Sequence, residues 1–271
     1  VNRAGAAFAL ARVHEADDIR LVHATPSLDE LWQADDQLPL GHFDPATLAD
    51  LPAAARRWLL RVIEPGTPLY RAIRLRMHGE IKLGRWREFE AEQVIRWGRG
   101  LVWQAEVAFG PFTVRGHDAV IDGVGEMDWR LLRLIPVMVG RGPDIDRSAA
   151  ARFELESVLL PTVLLGDEVE WLAGDDDRHA RVRMHVPGDA AELSLRFTDA
   201  GALAECSCLR WGNPEGGEHR FVPFGGFWTG ERRVQGCLIG THMRAGWYFG
   251  TPRYADAGEF FRATIDALEL R

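Results

Sequence analysis

Chemistry is easiest to find where a polar or ionisable residue stands in a register that its neighbours mark as buried, because such a group is costly unless it is paired. Asp118 continues the series Phe112, Val114, Gly116 and Val120. Gln93 interrupts Phe89, Ala91, Ile95 and Trp97, and Arg210 ends the series Ala202, Ala204, Cys206 and Cys208. Downstream of Pro143, the residues Asp144, Ser148, Arg152 and Glu156 recur every four positions and form one polar helix stripe, opposite an apolar stripe of Ile145, Ala149 and Phe153. Two readings follow. A desolvated Asp118 or Glu156 can act as general acid or base while Arg152 and Arg210 orient an anionic or carbonyl group. The same residues can instead form an Arg–carboxylate network that ties helix to sheet, and such networks perturb titration without catalysing anything.

Other motifs are weaker. The glycines of Arg210-Trp211-Gly212-Asn213-Pro214 and Pro223-Phe224-Gly225-Gly226 allow close backbone approach to a ligand, or simply a tight turn and a bulge. No strand-to-helix context follows them, which argues against a phosphate cradle. Asp175-Asp176-Asp177 reads as a solvated turn, since calcium-loop spacing is missing. Cys206 and Cys208 share a strand face, but no second Cys or His pair has zinc spacing, so both read as small buried hydrophobes. His179 and His185 share a face with nothing nearby to complete a metal set. The absence of a GxSxG elbow and the scarcity of Ser count against an α/β-hydrolase. Neither a metal nor a cofactor is expected.

Composition narrows the partners. The net charge is −8 and Lys82 is the only lysine, whereas nucleic-acid binding depends on clustered Lys and Arg. Three cysteines in 271 residues cannot all pair, which points to a reducing compartment and a cytoplasmic location. The apolar patch Ala4 to Leu10 is too short for a spanning helix and lacks a cleavage site, so no membrane span is expected, although Val1 in place of an initiator Met leaves an upstream segment open. Ten tryptophans and 46% hydrophobic residues suffice for one wide core.

The elements that position these residues change period along the chain. Residues 1–50 read as a helical arm accessory to a domain over 51–271. Ser27 and Glu30, after Thr25-Pro26, form a capping box that opens a helix through Trp32. Gln37 to Phe43 is irregular, and Asp44-Pro45 opens another short turn. Ala55, Trp58, Leu59, Val62 and Ile63 make a helical stripe between Pro52 and Pro65-Gly66. The period then becomes two, from Ile73, Leu75 and Met77 to Val120, with turns at Gly98 to Gly100 and at Gly110-Pro111. Alternation stops at Trp129, and Pro143 starts a helix of about four turns, expected to reach Leu160. Strand patterns resume at Val182, Met184 and Val186, then at Leu193, Leu195 and Phe197, and near 203–211, 219–224, 231–239 and 245–250. Glu259 to Leu270 fits a strand or a helix. The expected class is α+β, predominantly antiparallel: a strongly curved sheet or half-open β-barrel with helices on its concave side.

The segments Gly79-Glu80-Ile81-Lys82, Gly125-Glu126-Met127-Asp128-Trp129, Arg210-Trp211-Gly212-Asn213-Pro214, Pro223-Phe224-Gly225-Gly226, Gly246-Trp247 and Gly258-Glu259-Phe260-Phe261-Arg262, with the helix opening at Pro143, together resemble a family of uncharacterised bacterial proteins. The resemblance runs from about Leu51 to the C-terminus. It implies a bacterial origin and a shared fold, and it transfers no activity and no catalytic residue. The first fifty residues depart from it. More loosely, the element order is similar to the half-open β-barrels of bacterial lipoprotein carriers, which hold acyl chains against an inner helix; that likeness concerns fold alone. Those carriers are exported, and no export signal is read here.

The leading expectation is a binding protein for a small apolar or amphipathic, lipid-like molecule held between the sheet and the crossover helix. Trp97, Trp103, Phe112 and Phe153 would line the chamber, and Arg152 and Arg210 would meet a polar head. Gln93, Asp144, Ser148, Trp211 and Asn213 are further ligand-binding candidates. The alternatives are a cofactor-free hydrolase, isomerase or cyclase using Asp118 or Glu156, and a scaffold or interaction protein with no pocket. Oligomeric state is not legible in the sequence.

Overall fold

The computed structural model describes residues 25–34, 41–184 and 191–271. The patch from Ala4 to Leu10, the irregular stretch from Gln37 to Leu40, and the features expected of His185 and Val186 lie outside the described residues.

Two antiparallel meanders make the sheet. The first runs through β1 (Ala72–Leu83), β2 (Arg85–Arg96), β3 (Gly100–Phe109), β4 (Phe112–Ile121), β5 (Val124–Leu131) and β6 (Ile135–Arg141). The second runs through β7 (Val169–Ala173), β8 (His179–Met184), β9 (Glu192–Phe197), β10 (Leu203–Gly212), β11 (Arg220–Val234), β12 (Cys237–Trp247) and β13 (Glu259–Leu270). Within each meander every pairing joins sequence neighbours. Among the described residues one long-range pairing, β1 with β13 from Ile73↔Leu270 to Ile81↔Phe261, fuses the two into a 13-stranded sheet ordered β6-β5-β4-β3-β2-β1-β13-β12-β11-β10-β9-β8-β7. The last segment is therefore a strand. Alternation does not stop at Trp129 as expected, since β5 and β6 follow. The pattern in β6 is blurred because an edge strand with little cover on either face has no buried phase to select.

Two of the helices precede β1 and a third links the meanders. α1 (Leu28–Gln33) begins with the capping box between Ser27 and Glu30. α2 (Ala53–Val62) buries Ala54, Ala55, Trp58, Leu59 and Val62 against the inner face of the sheet. α3 (Pro143–Leu155) links the meanders and is shorter than expected: its last turn tightens into a 3-10 segment, Glu156–Leu159, because Pro161 disfavours helical backbone at Leu160. α1 lies on the opposite face, where Leu28, Leu31 and Trp32 cover Ala72, Val94, Val102 and Ala119. The strands under α1 thus bury both phases.

The strongly curved sheet or half-open barrel is corrected. β6 and β7 end the sheet unpaired with each other, and it is neither closed nor strongly curled. It does bend. Eight strand steps separate β5 from β10, roughly 38 Å if laid flat. α3, with 13 residues and a length of about 20 Å, nevertheless touches β4, β5 and β6 on one side and β10 on the other. That bend seats α3 between the two wings and brings its polar residues against strands far apart in sequence.

Candidate functional site

The C-terminal part of the α3 polar stripe, Arg152 and Glu156, faces the sheet, while Asp144 at its start stays exposed. Arg152 is its centre: Nη1 donates to Asp118 Oδ2 of β4 at 3.0 Å, and Nε donates to Glu156 Oε1 at 2.7 Å. Trp129 Nε1 donates to the other Asp118 oxygen at 2.8 Å, and the Gln93 amide of β2 donates to the other Glu156 oxygen. All four carboxylate oxygens are thereby satisfied. The guanidinium also lies 5.3 Å from the Trp103 ring centroid. Burial pulls the Arg152 pKa down, but Glu156 and Asp118 more than reverse this and hold it above its usual range.

One turn towards the N-terminus, α3 meets β10. Arg210 Nε donates to the Ser148 carbonyl at 3.1 Å, and its guanidinium packs against Phe224 at 4.6 Å and Trp247 at 5.3 Å. Among the described residues no carboxylate pairs with it. Burial first, and then the Arg152 charge, pull the Arg210 pKa down to about 10. Trp211 Nε1 donates to Asp144 Oδ1 at 2.7 Å, and His219 Nδ1 lies 3.3 Å from the other Asp144 oxygen. Gly212 permits this packing, since a Cβ there would come within 2.3 Å of the Trp247 ring.

The structure thus gathers Gln93, Trp103, Asp118, Arg152 and Glu156 into one network and Asp144, Ser148, Arg210 and Trp211 into an adjoining one. Trp97 stacks on Phe153 at 5.0 Å, and its Nε1 donates to Glu168 Oε1 at 2.8 Å. Two candidates fall outside. Phe112, expected to line a chamber, is 50% exposed at the β3–β4 hairpin tip, because the inward phase runs off the end of the sheet there. Asn213 serves its own turn, with Nδ2 donating to the Gly217 carbonyl at 3.2 Å. The stripe of Ile145, Ala149 and Phe153 is only half-buried, since sheet flanks the helix on two sides; the fully buried positions are Ala151, Glu154 and Leu155.

Glu154 is a residue that the sequence reading misses. It is 1% exposed, and Oε2 accepts from the Ala191 backbone N–H at 2.7 Å. Oε1, like the buried Ser157 hydroxyl, has no partner among the described residues. Burial pushes its pKa up to about 7. A signal for it exists: Glu154 stands three residues after Ala151 and four before Val158, inside a small-to-apolar stripe.

Among the described residues, hollows flank both faces of the sheet. On the helix-bearing face a cavity of about 250 Å³ is walled by Trp58, Val62, Val158, Leu203, Trp228 and Leu238. Thr198, Thr229 and Glu231 add its polar atoms, and Arg61 clasps Glu231 through two bonds of 2.5 and 2.6 Å. None of the ligand-binding residues expected from sequence lines it. The other face carries an open groove of about 900 Å³ between carboxylates such as Glu80 and Glu90 and the guanidinium groups of Arg244 and Arg262. Among the described residues no cluster of His, Cys, Asp and Glu is arranged to hold a metal ion.

No curated protein matches the chain. Among solved structures it is similar to a domain assigned to the outer membrane lipoprotein-sorting proteins, from Vibrio parahaemolyticus, at 8% identity and a TM-score of 0.42 over 74% of this chain and 85% of that one. It is also similar to a LolA superfamily protein from Nitrosomonas europaea, at 8% identity and a TM-score of 0.36 over 82% of this chain and 94% of that one. The Family of unknown function (DUF6920) matches residues 49–270, and the chain belongs to that family.

Proposed function

We propose that the protein binds a small apolar or amphipathic molecule on the helix-bearing face of its sheet, with the apolar part in the cavity between α2 and β10–β12. The observation that carries this reading is the cavity itself, with its two tryptophans and its aliphatic walls. At about 250 Å³ it exceeds the ~150 Å³ that admits benzene and approaches the ~300 Å³ at which ordinary ligand pockets begin. That volume fits a single ring or a short acyl chain of about eight to ten heavy atoms. Thr198 supplies a hydroxyl for a polar end.

The chamber expected beside α3 is less favoured. Its rings pack on one another, and both of its carboxylates are paired with Arg152. The same pairing weighs against Asp118 or Glu156 as a proton-transfer group.

Titration with octanoate, octanol and indole, read by tryptophan emission, tests the proposal. Trp58 and Trp228 report directly. At least one probe is expected to saturate with a Kd of about 10⁻⁴ to 10⁻⁶ M. Ala202→Phe, made within the lining, should abolish that response without lowering Tm. Absence of saturation with all three probes, or unchanged binding in the filled variant, would sink it.

A further inference from the structure

The turn between β5 and β6 is Leu131-Leu132-Arg133-Leu134, closed by the Leu134 N–H donating to the Leu131 carbonyl at 3.1 Å. Its two central residues have φ of 52° and 64°, the mirror-image turn that suits a hairpin but normally needs Asn or Asp followed by Gly. Elsewhere the second central residue is Gly, in Asp122-Gly123 at 51° and 82° and in Gln235-Gly236 at 49° and 84°. Here it places Leu and Arg in the left-handed region, where a Cβ is disfavoured. Strain of this kind is a pointer to function.

What the strained turn does is present leucine to solvent. Leu132 is 54% exposed, Leu134 78% and Ile135 56%. The Leu132 N–H donates to the Thr113 carbonyl at 3.3 Å, which seats this tip beside the β3–β4 tip and its exposed Phe112. The β1–β2 tip lies at the same end of the sheet, since successive hairpins alternate ends, and Arg87 of that hairpin covers the Phe109 ring at 4.1 Å. Charge is sorted as well. Within residues 82–87, 109–113 and 131–135 the ionisable groups are Lys82, Arg85, Arg87 and Arg133, without one carboxylate, although the whole chain is at −8. The first carboxylates inward are Glu80, 3.6 Å from Arg262, and Glu88.

We propose that these three hairpin tips dock the protein on an anionic phospholipid surface. The leucines and Phe112 enter the boundary between headgroups and acyl chains while the four cations meet lipid phosphate. Charge complementarity selects this occupant: a second copy would bring four like charges against four, whereas an anionic bilayer attracts them. The proposal stands independently of the ligand cavity.

Flotation of the full chain with vesicles tests it. Affinity for vesicles containing phosphatidylglycerol should exceed that for pure phosphatidylcholine by about tenfold or more, and should fall about tenfold between roughly 0.05 and 0.5 M salt. Replacing Leu132-Arg133 by Asn-Gly relaxes the turn, so this variant should keep or raise Tm yet lose about tenfold in affinity. Leu134→Ser should weaken binding with Tm unchanged. Failure to float with phosphatidylglycerol at millimolar lipid, equal affinity for both vesicle types, or wild-type affinity in the Asn-Gly variant overturns the proposal. So does a dimer, seen by light scattering, that Leu134→Ser dissociates; that result assigns the patch to contact between copies.

Discussion

Burial raises the Glu154 carboxyl from its usual 4.5 to about 7, so between those values the folded chain keeps a proton that the unfolded chain has lost. The sign follows. The stabilising contribution is full below pH 4.5 and is lost as pH rises through about 7, by an amount on the order of 3 kcal/mol. Glu154→Gln should flatten the dependence and unfold at higher urea than the wild type at about pH 8. Parallel curves for the two proteins from about pH 5 to 8 would rule out this titration. Burial also holds the three thiols protonated, with Cys208 and Cys237 at about 12 and Cys206 raised as well. Ellman's reagent at about pH 8 should therefore label none of the three in the native protein and all of them after denaturation. Cys206 and Cys208 are readable as buried hydrophobes from their strand register, whereas Glu154 is hidden by its helical context.

α3 shows what a helix stripe can and cannot say at the scale of elements. The four-residue recurrence of Asp144, Ser148, Arg152 and Glu156 is a local property and is visible in the sequence. Which strand each residue meets depends on the bend of the sheet, and no local spacing encodes that. Arg152→Met tests the network. It leaves Asp118 and Glu156 without their cation, and since the three groups keep between 18% and 26% of their side-chain surface, the cost should be about 1–3 kcal/mol, below that of a fully buried pair. Adding Asp118→Asn and Glu156→Gln to Arg152→Met should recover most of the loss in thermal unfolding, because no bare carboxylate remains. If the triple variant is less stable than Arg152→Met alone, the network contributes more than charge balance.

The whole sheet hangs on the pairing of the first strand with the last. Ile265 of β13 is fully buried opposite Met77, while its neighbour Thr264 faces the other side between His78 and His242. Ile265→Asp should therefore abolish cooperative unfolding and soluble yield, since it buries an unpaired charge at the seam. Thr264→Asp, one residue away, should change stability by only about 0.5 kcal/mol. Comparable damage from both would mean that the register at the seam is misassigned.

By itself the sequence determined the predominance of antiparallel strands, the capping of α1, the placing of several turns and the family to which the chain belongs, because each rests on spacing or motif within a few dozen residues. Only the tertiary structure decided that β1 meets β13, that the sheet stays open while bending around α3, and that the cavity lies under α2 rather than beside the polar stripe. Strand periodicity states which side chains seek burial. It does not state which distant strand covers them, or how much space is left when packing is complete.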